Sequence, residues 1–185
     1  MLPTTIRRHL LTASLVLLSA GPALAQEPLD GPKHPMQDPL LDHMVGSWKL
    51  AGRIAGQPAE HSVRAEWVLN HQFLHVHEKS NAPSKNGTTY EAMIFIGYDN
   101  TSERYVVHWL DIYGGRFSET LGYGKRDGNA IRLTFEYPDG PFHTTFLWED
   151  ASKSWRWEMD SKGPNGQWKE FGRMTLTRVP AATDH

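Results

Sequence analysis

From Trp48 onward the chain alternates apolar and polar residues in short runs, with turn-forming residues about every eight to twelve positions. A period of two marks half-buried strands, and this spacing of turns is that of a sandwich or barrel. The runs number about ten and fall at residues 47–55, 60–69, 72–80, 88–98, 104–111, 116–124, 129–137, 141–149, 154–161 and 167–178. Arg126-Asp127-Gly128, Pro138-Asp139-Gly140-Pro141 and Gly163-Pro164-Asn165-Gly166 supply turns between them. Short links between successive strands predict an all-β, up-and-down antiparallel meander that closes into a barrel. Ahead of it, Asp38-Pro39 has the chemistry of a helix start: an N-cap carboxylate, then Pro at the first helical position. A short helix over 39–45 follows, with Leu40, Leu41 and Met44 on one side and Gly46 ending it.

Turn positions fix which side chains share a face. A Pro138–Pro141 turn pairs Tyr137 with Phe142 and Leu133 with Phe146. An Asp150–Lys153 loop pairs Trp148 with Trp155 and Phe146 with Trp157. Three successive strands thereby turn an aromatic wall inward. The Asn70-His71 turn likewise pairs Trp67 with Leu74 and Ala65 with Val76, leaving His75 and His77 on the opposite face near Glu66 and Arg64. Two imidazoles about 7 Å apart on one strand are a possible chelating pair. Here the register turns them outward, together with His143, so no metal is expected. Three carboxylates are expected on the apolar face instead. Glu119 shares a phase with Phe117 and Leu121, Glu170 shares one with Trp168 and Met174, and Asp111 follows Trp109. An inward carboxylate is costly unless paired, which makes it a candidate site residue. Residues Tyr90 to Tyr98 are apolar on both faces, which predicts cover by the N-terminal helix or, alternatively, a dimer interface.

The two ends of the chain change the picture. Arg7 and Arg8 precede an apolar run from Leu10 to Leu18, and Ala23-Leu24-Ala25 is a small-x-small cleavage pattern. This is the layout of a signal peptide over 1–25, cut before Gln26, and the run is too short to span a membrane. The arginine pair also resembles the start of a twin-arginine signal. The Pro-rich, polar stretch 26–37 reads as a disordered leader, and 38–180 as one barrel domain. Removing 1–25 takes away two positive charges and no negative ones, so the formal net charge moves from −2 to −4. That is not the profile of a nucleic-acid or anionic-membrane binder. The chain has no cysteine, which rules out disulfides, thiol chemistry and a lipid anchor on cysteine. Its seven tryptophans, seven phenylalanines and six tyrosines must build the core unaided.

Gly46-Ser47-Trp48 opens the first strand after a short helix, and Arg178 closes the last. This resembles the calycin pattern of lipocalins and fatty-acid-binding proteins, a Gly-x-Trp with a basic residue from the end of the barrel packed over the Trp. The stretches Leu41-Asp42-His43-Met44-Val45-Gly46-Ser47-Trp48, Gly97-Tyr98-Asp99-Asn100 and Tyr105-Val106-Val107-His108-Trp109-Leu110-Asp111 resemble the exported bacterial family called domain of unknown function 1579. That resemblance implies a calycin-like barrel over roughly residues 40–178 and brings no catalytic residue with it. A related barrel group, the nitrobindins, binds haem through an inward histidine, for which His108 is the candidate here.

Together these readings predict a periplasmic or secreted lipocalin-like barrel, monomer or homodimer, holding a small hydrophobic or aromatic molecule. Its expected lining is Trp67, Trp109, Asp111, Glu119, Tyr137, Trp148, Trp157 and Glu170. No cofactor is expected outside the His108 haem alternative. The other alternative is an enzyme acting on a hydrophobic substrate through the inward carboxylates.

Overall fold

The computed structural model describes residues 34–180. The expected signal peptide, and all of the expected leader before His34, lie outside the described residues. His34 to Gln37 run beside the turn at His71. Met36 N–H donates to the His71 carbonyl at 2.9 Å, and Gln72 Nε2 donates to the His34 carbonyl at 2.8 Å.

Helix α1 (Pro39–Asp42) forms where Asp38-Pro39 predicts a start. Asp38 Oδ1 accepts from the N–H groups of Leu40 and Leu41 at 3.0 and 3.2 Å, satisfying two donors that have no partner within the helix. The helix is shorter than the expected 39–45, with His43 already its C-cap. Leu40, Leu41 and Met44 are nevertheless buried.

Ten strands follow: β1 (Gly46–Ile54), β2 (Gln57–Val68), β3 (Phe73–Ser80), β4 (Glu91–Asp99), β5 (Arg104–Asp111), β6 (Gly122–Asp127), β7 (Ala130–Tyr137), β8 (Gly140–Glu149), β9 (Ser154–Lys162) and β10 (Trp168–Arg178). A one-turn helix α2 (Gly115–Ser118) lies between β5 and β6. Each strand is antiparallel to the next, and β1 pairs with both β2 and β10, so the sheet closes into a barrel. Closure removes the unpaired edges that an open sheet would expose.

The register agrees with the turn chemistry in two hairpins and differs by two residues in a third. Trp67 faces Leu74, and Trp148 faces Trp155, as expected. The β7–β8 turn is tighter than expected: Tyr137 pairs with Gly140 and Phe135 with Phe142. Gly140 adopts a φ of 125°, which favours glycine. A two-residue shift leaves every side chain on its expected face.

Two expectations are corrected by local structure. The sixth strand does not span 116–124. Residues 115–118 form α2, and β6 begins only at Gly122. Phase counting through 116–124 therefore fails for Glu119, the C-cap of α2, which is exposed. In β10 the register slips between Glu170 and Gly172 at a bulge. An extra residue reverses the alternation on one side of it, and the Glu170 side chain is 58 % exposed, 3.8 Å from Arg173 Nε.

The barrel has two unlike ends. At the first, α1 plugs the interior. Trp48 Nε1 donates to the Met44 carbonyl at 2.7 Å, and Tyr105 OH donates to Asp38 Oδ2 at 2.5 Å. The Arg178 guanidinium lies 4.2 Å over the Trp48 ring and donates to the Val45 and His43 carbonyls. Trp48, Leu41, Leu50, Trp155 and Leu176 are fully buried in this region. Each such side chain contributes about 1.5–3 kcal/mol by leaving water. The second end carries the turn at 55–56, the loops 81–90 and 112–121, and the turns at 138–139 and 163–167. The expected cover of 90–98 by the N-terminal helix is not what forms, because α1 sits at the barrel end. Outside β4, the Phe73 ring abuts Gly97, His75 stacks on Phe95 at 4.8 Å, and Met93 is left 44 % exposed.

Candidate functional site at the far end of the barrel

Inward positions at the end away from α1 carry an unusual set of side chains. On β2, His61 is in phase with Val63 and Ala65; on β3, Glu78 is in phase with Leu74 and Val76. The alternation that buries those aliphatic residues also buries His61 and Glu78, at 7 % and 2 % exposure. His61 Nδ1–H donates to Glu78 Oε1 at 2.5 Å. A buried carboxylate needs such a partner to be tolerated. Tyr90, two residues before the inward Ala92, stacks on His61 with ring centroids 5.8 Å apart. Its hydroxyl accepts from Trp109 Nε1 at 3.3 Å and donates to Asp111 Oδ2 at 3.5 Å.

Asp111 ends β5 facing inward. Its Oδ1 accepts from the Tyr113 N–H at 2.9 Å. Around it stands an aromatic rim. Trp109 meets Phe135 at 6.2 Å and Trp157 at 5.4 Å. Tyr137 meets Phe135, Phe142 and the α2 residue Phe117 at 5.5, 6.1 and 5.6 Å. Arg116 of α2 makes a forked bond to Asp139 of the β7–β8 turn, which ties the 112–121 loop across the rim. Tyr90, Trp109, Asp111, Tyr137 and Phe142 are all half-buried.

Two inward carboxylates, Asp111 and Glu78, make the β3–β5 side of this end acidic, and among the described residues no Lys or Arg pairs with Asp111. Lys169, exposed on the inward phase opposite Ser161, stands across the barrel on β10, and Arg126 and Arg178 lie at the α1 end. Burial, then the Glu78 charge, push the Tyr90 phenol far above its ordinary value, against the hydrogen bond from Trp109. Burial and then Asp111 push Tyr137 up to about 12. Burial also raises the Asp111 carboxyl, opposed by the bonds from Tyr113 and Tyr90. Deeper in, Thr144 Oγ1 and Trp157 Nε1 are buried with no hydrogen-bond partner among the described residues.

The structure thus brings together Trp109, Asp111 and Tyr137 of the expected lining, with Trp157 beneath them. It separates the others. Trp67 sits at the α1 end, donating to Asp42 Oδ1 at 2.9 Å and stacked on His71. Trp148 is there too, donating to Asp150 at 2.9 Å and stacked on His43 at 4.4 Å. Glu119 and Glu170 are outside the barrel. His108 alternates with the inward Val107 and Trp109, so it lies on the outer face, where its Nε2 is 2.6 Å from the Ser118 carbonyl of α2. A haem ligand reaching into the barrel does not fit that position. His75 and His77 also face outward, with His77 Nε2 2.7 Å from Glu91 Oε1. Among the described residues no three His, Asp or Glu side chains converge as metal ligands.

Two surface hollows lie elsewhere. One of about 90 Å³ is bounded by Leu40, His43, Arg126 and Trp148. The other, about 350 Å³, is an open trough on the outer face beside Ser47, Arg64, His77 and Lys79.

A closed ten-stranded antiparallel meander, with Arg178 packed over the Trp48 that opens β1, defines a calycin-like barrel. The chain belongs to the family described as protein of unknown function (DUF1579), whose family model matches residues 33–178. No curated protein matches it.

Proposed function

We propose that this chain is an exported barrel that binds a small hydrophobic or aromatic molecule at the far end, over Trp109 and Tyr137. The observation that carries this reading is the half-buried aromatic rim around Asp111 and Tyr90, at the end that α1 does not plug. Binding sites combine apolar walls with a few placed polar groups, and this rim has that composition. Export rests on the signal-like pattern of residues 1–25. The test is calorimetric titration with 2-(4-hydroxyphenyl)ethanol, a small neutral aromatic probe, and a mass-spectrometric search for a co-purified small molecule. Trp109→Ala is expected to abolish probe binding, whereas Trp67→Phe at the opposite end leaves it intact. Binding that survives Trp109→Ala refutes the location.

A second reading is acid–base catalysis at the same end, favoured by the His61–Glu78 pair. A carboxylate on Nδ1 orients an imidazole so that Nε2 can take a proton. Turnover of any bound aromatic carbonyl or ester that is lost in His61→Gln while binding is retained supports this reading. Binding without turnover eliminates it.

A further inference from the structure

Asp111 is the feature that the far end leaves incomplete. It is a half-buried carboxylate on the inward face, and among the described residues no Lys or Arg pairs with it; the exposed Lys169, on the inward phase opposite Ser161, belongs to β10 on the other side of the barrel. The other inward carboxylate, Glu78, has its partner in His61 at 2.5 Å. Asp111 has only neutral donors: one backbone N–H at 2.9 Å on Oδ1 and one long phenol contact at 3.5 Å on Oδ2. Oδ2 therefore retains most of its acceptor capacity.

The surroundings are those in which a cation is stable. Tyr90 bonds this carboxylate, Trp109 bonds Tyr90, and Tyr137 lies close enough for the Asp111 charge to raise its phenol; a desolvated cation near aromatic faces is attracted by their quadrupoles. An anionic ligand meets the opposite conditions. It would bring a negative charge next to Asp111, which no Lys or Arg neutralises, at real cost in a partly dry site. A buried donor lies just below. The Trp157 ring abuts Trp109 at 5.4 Å, is 1 % exposed, and keeps its indole N–H without an acceptor among the described residues. Buried donors rarely go unpaired, and an oxygen on a guest that reached this depth would satisfy this one; the Trp155 indole N–H at the α1 end is unpaired as well.

Resting on the reading that the far end binds a small molecule, we propose that its ligand is an organic cation. A protonated amine sits on Asp111 Oδ2 among the Tyr90, Trp109 and Tyr137 rings, and the uncharged body of the ligand, carrying an oxygen, extends toward Trp157. Carboxylates bound beside Asp111 are disfavoured by charge.

The experiment is a charge series on one molecular frame, measured by calorimetry at neutral pH and low salt with the full mature chain. The probes are tyramine, 2-(4-hydroxyphenyl)ethanol and 4-hydroxyphenylacetate, which are cationic, neutral and anionic. Tyramine is expected to bind at least about tenfold more tightly than the alcohol, and the acid most weakly. In Asp111→Asn, which keeps an acceptor for the Tyr113 N–H, the advantage of tyramine over the alcohol disappears. Near-UV circular dichroism establishes that the variant is folded, and the wild-type series stands without it. If the alcohol binds as tightly as tyramine, or if the preference survives Asp111→Asn, the cation proposal is overturned while far-end binding stands. If none of the three binds, far-end binding itself fails, and the proposal with it.

Discussion

The two ends of this barrel use similar residue types for opposite purposes. At the α1 end most polar groups close bonds within the protein, the buried Trp155 indole N–H and Arg104 Nε being exceptions. Asp38 caps α1 and holds Tyr105, Arg178 ties Val45 and His43 to Trp48, and Trp48 donates to Met44. At the far end, His61 and Glu78 complete each other, but Asp111 and the Trp157 indole do not find full partners. Aromatic side chains follow the same division, fully buried around Trp48 and Trp155 and half-buried around Tyr90 and Tyr137. Arg126 and Arg178 lie beside α1, and the carboxylate without a cationic partner lies at the second end.

Substitutions that empty the plug break this contrast most severely. Trp48→Ala removes a fully buried ring together with its bond to Met44 and its stacking with Arg178, and is expected to cost about 3–5 kcal/mol in urea unfolding. Tyr137→Ala, at the half-buried rim, is expected to cost well under half of that. Equal losses would show the two ends to be one undivided core.

Removing one partner of the buried pair comes next. His61→Phe leaves Glu78 buried with no partner, and a loss of about 3 kcal/mol is expected in the same unfolding measurement. Asp38→Ala is smaller. It removes the cap of α1 and the acceptor for Tyr105, for about 1–2 kcal/mol. Asp38→Asn retains an acceptor for the helix N–H groups and recovers part of that loss.

The smallest effect has the opposite sign. Burial raises the Asp111 carboxyl above its ordinary value of 3.8. In the window between the ordinary and the raised value the folded chain holds more protons than the unfolded one, so stability falls as pH rises through it. Asp111→Asn removes that penalty. The variant is therefore expected to melt slightly higher than the wild type at neutral pH, with the gain fading below the ordinary carboxylate value. A variant that melts lower at neutral pH, but not in acid, would mean that Asp111 has a cationic partner after all.

Much of this was legible before any coordinates. Alternation and turn chemistry place nine of the strands within three residues of their observed ends, and two hairpin registers follow from Asn70-His71 and Asp150–Lys153. The Trp48–Arg178 contact follows from their places at the start and end of the meander. The failures have local causes. Phase counting assumes an unbroken strand, and α2 and the bulge after Glu170 each break that assumption for one carboxylate. His108 sits on a strand apolar on both faces, and its outward side chain meets the Ser118 carbonyl of α2, an element that alternation alone does not reveal. The core of the far-end site was accessible by the same counting. Extending the Leu74–Val76 phase by two residues reaches Glu78, and extending Ala65–Val63 reaches His61. What alternation does not contain is that these two side chains, from partly offset positions on neighbouring strands, meet at 2.5 Å, or that Tyr90 enters from a loop to stack on one of them.

The central claim is that the two ends differ in function, one a plug and the other a receptor. An amide nitrogen–proton correlation spectrum of the labelled protein, titrated with tyramine, tests it most directly. The account predicts shifts concentrated at Tyr90, Asp111, Tyr113 and Tyr137, with Leu40 to Leu50 unmoved. Shifts centred instead on α1 and the hollow beside Arg126 and Trp148 would contradict it.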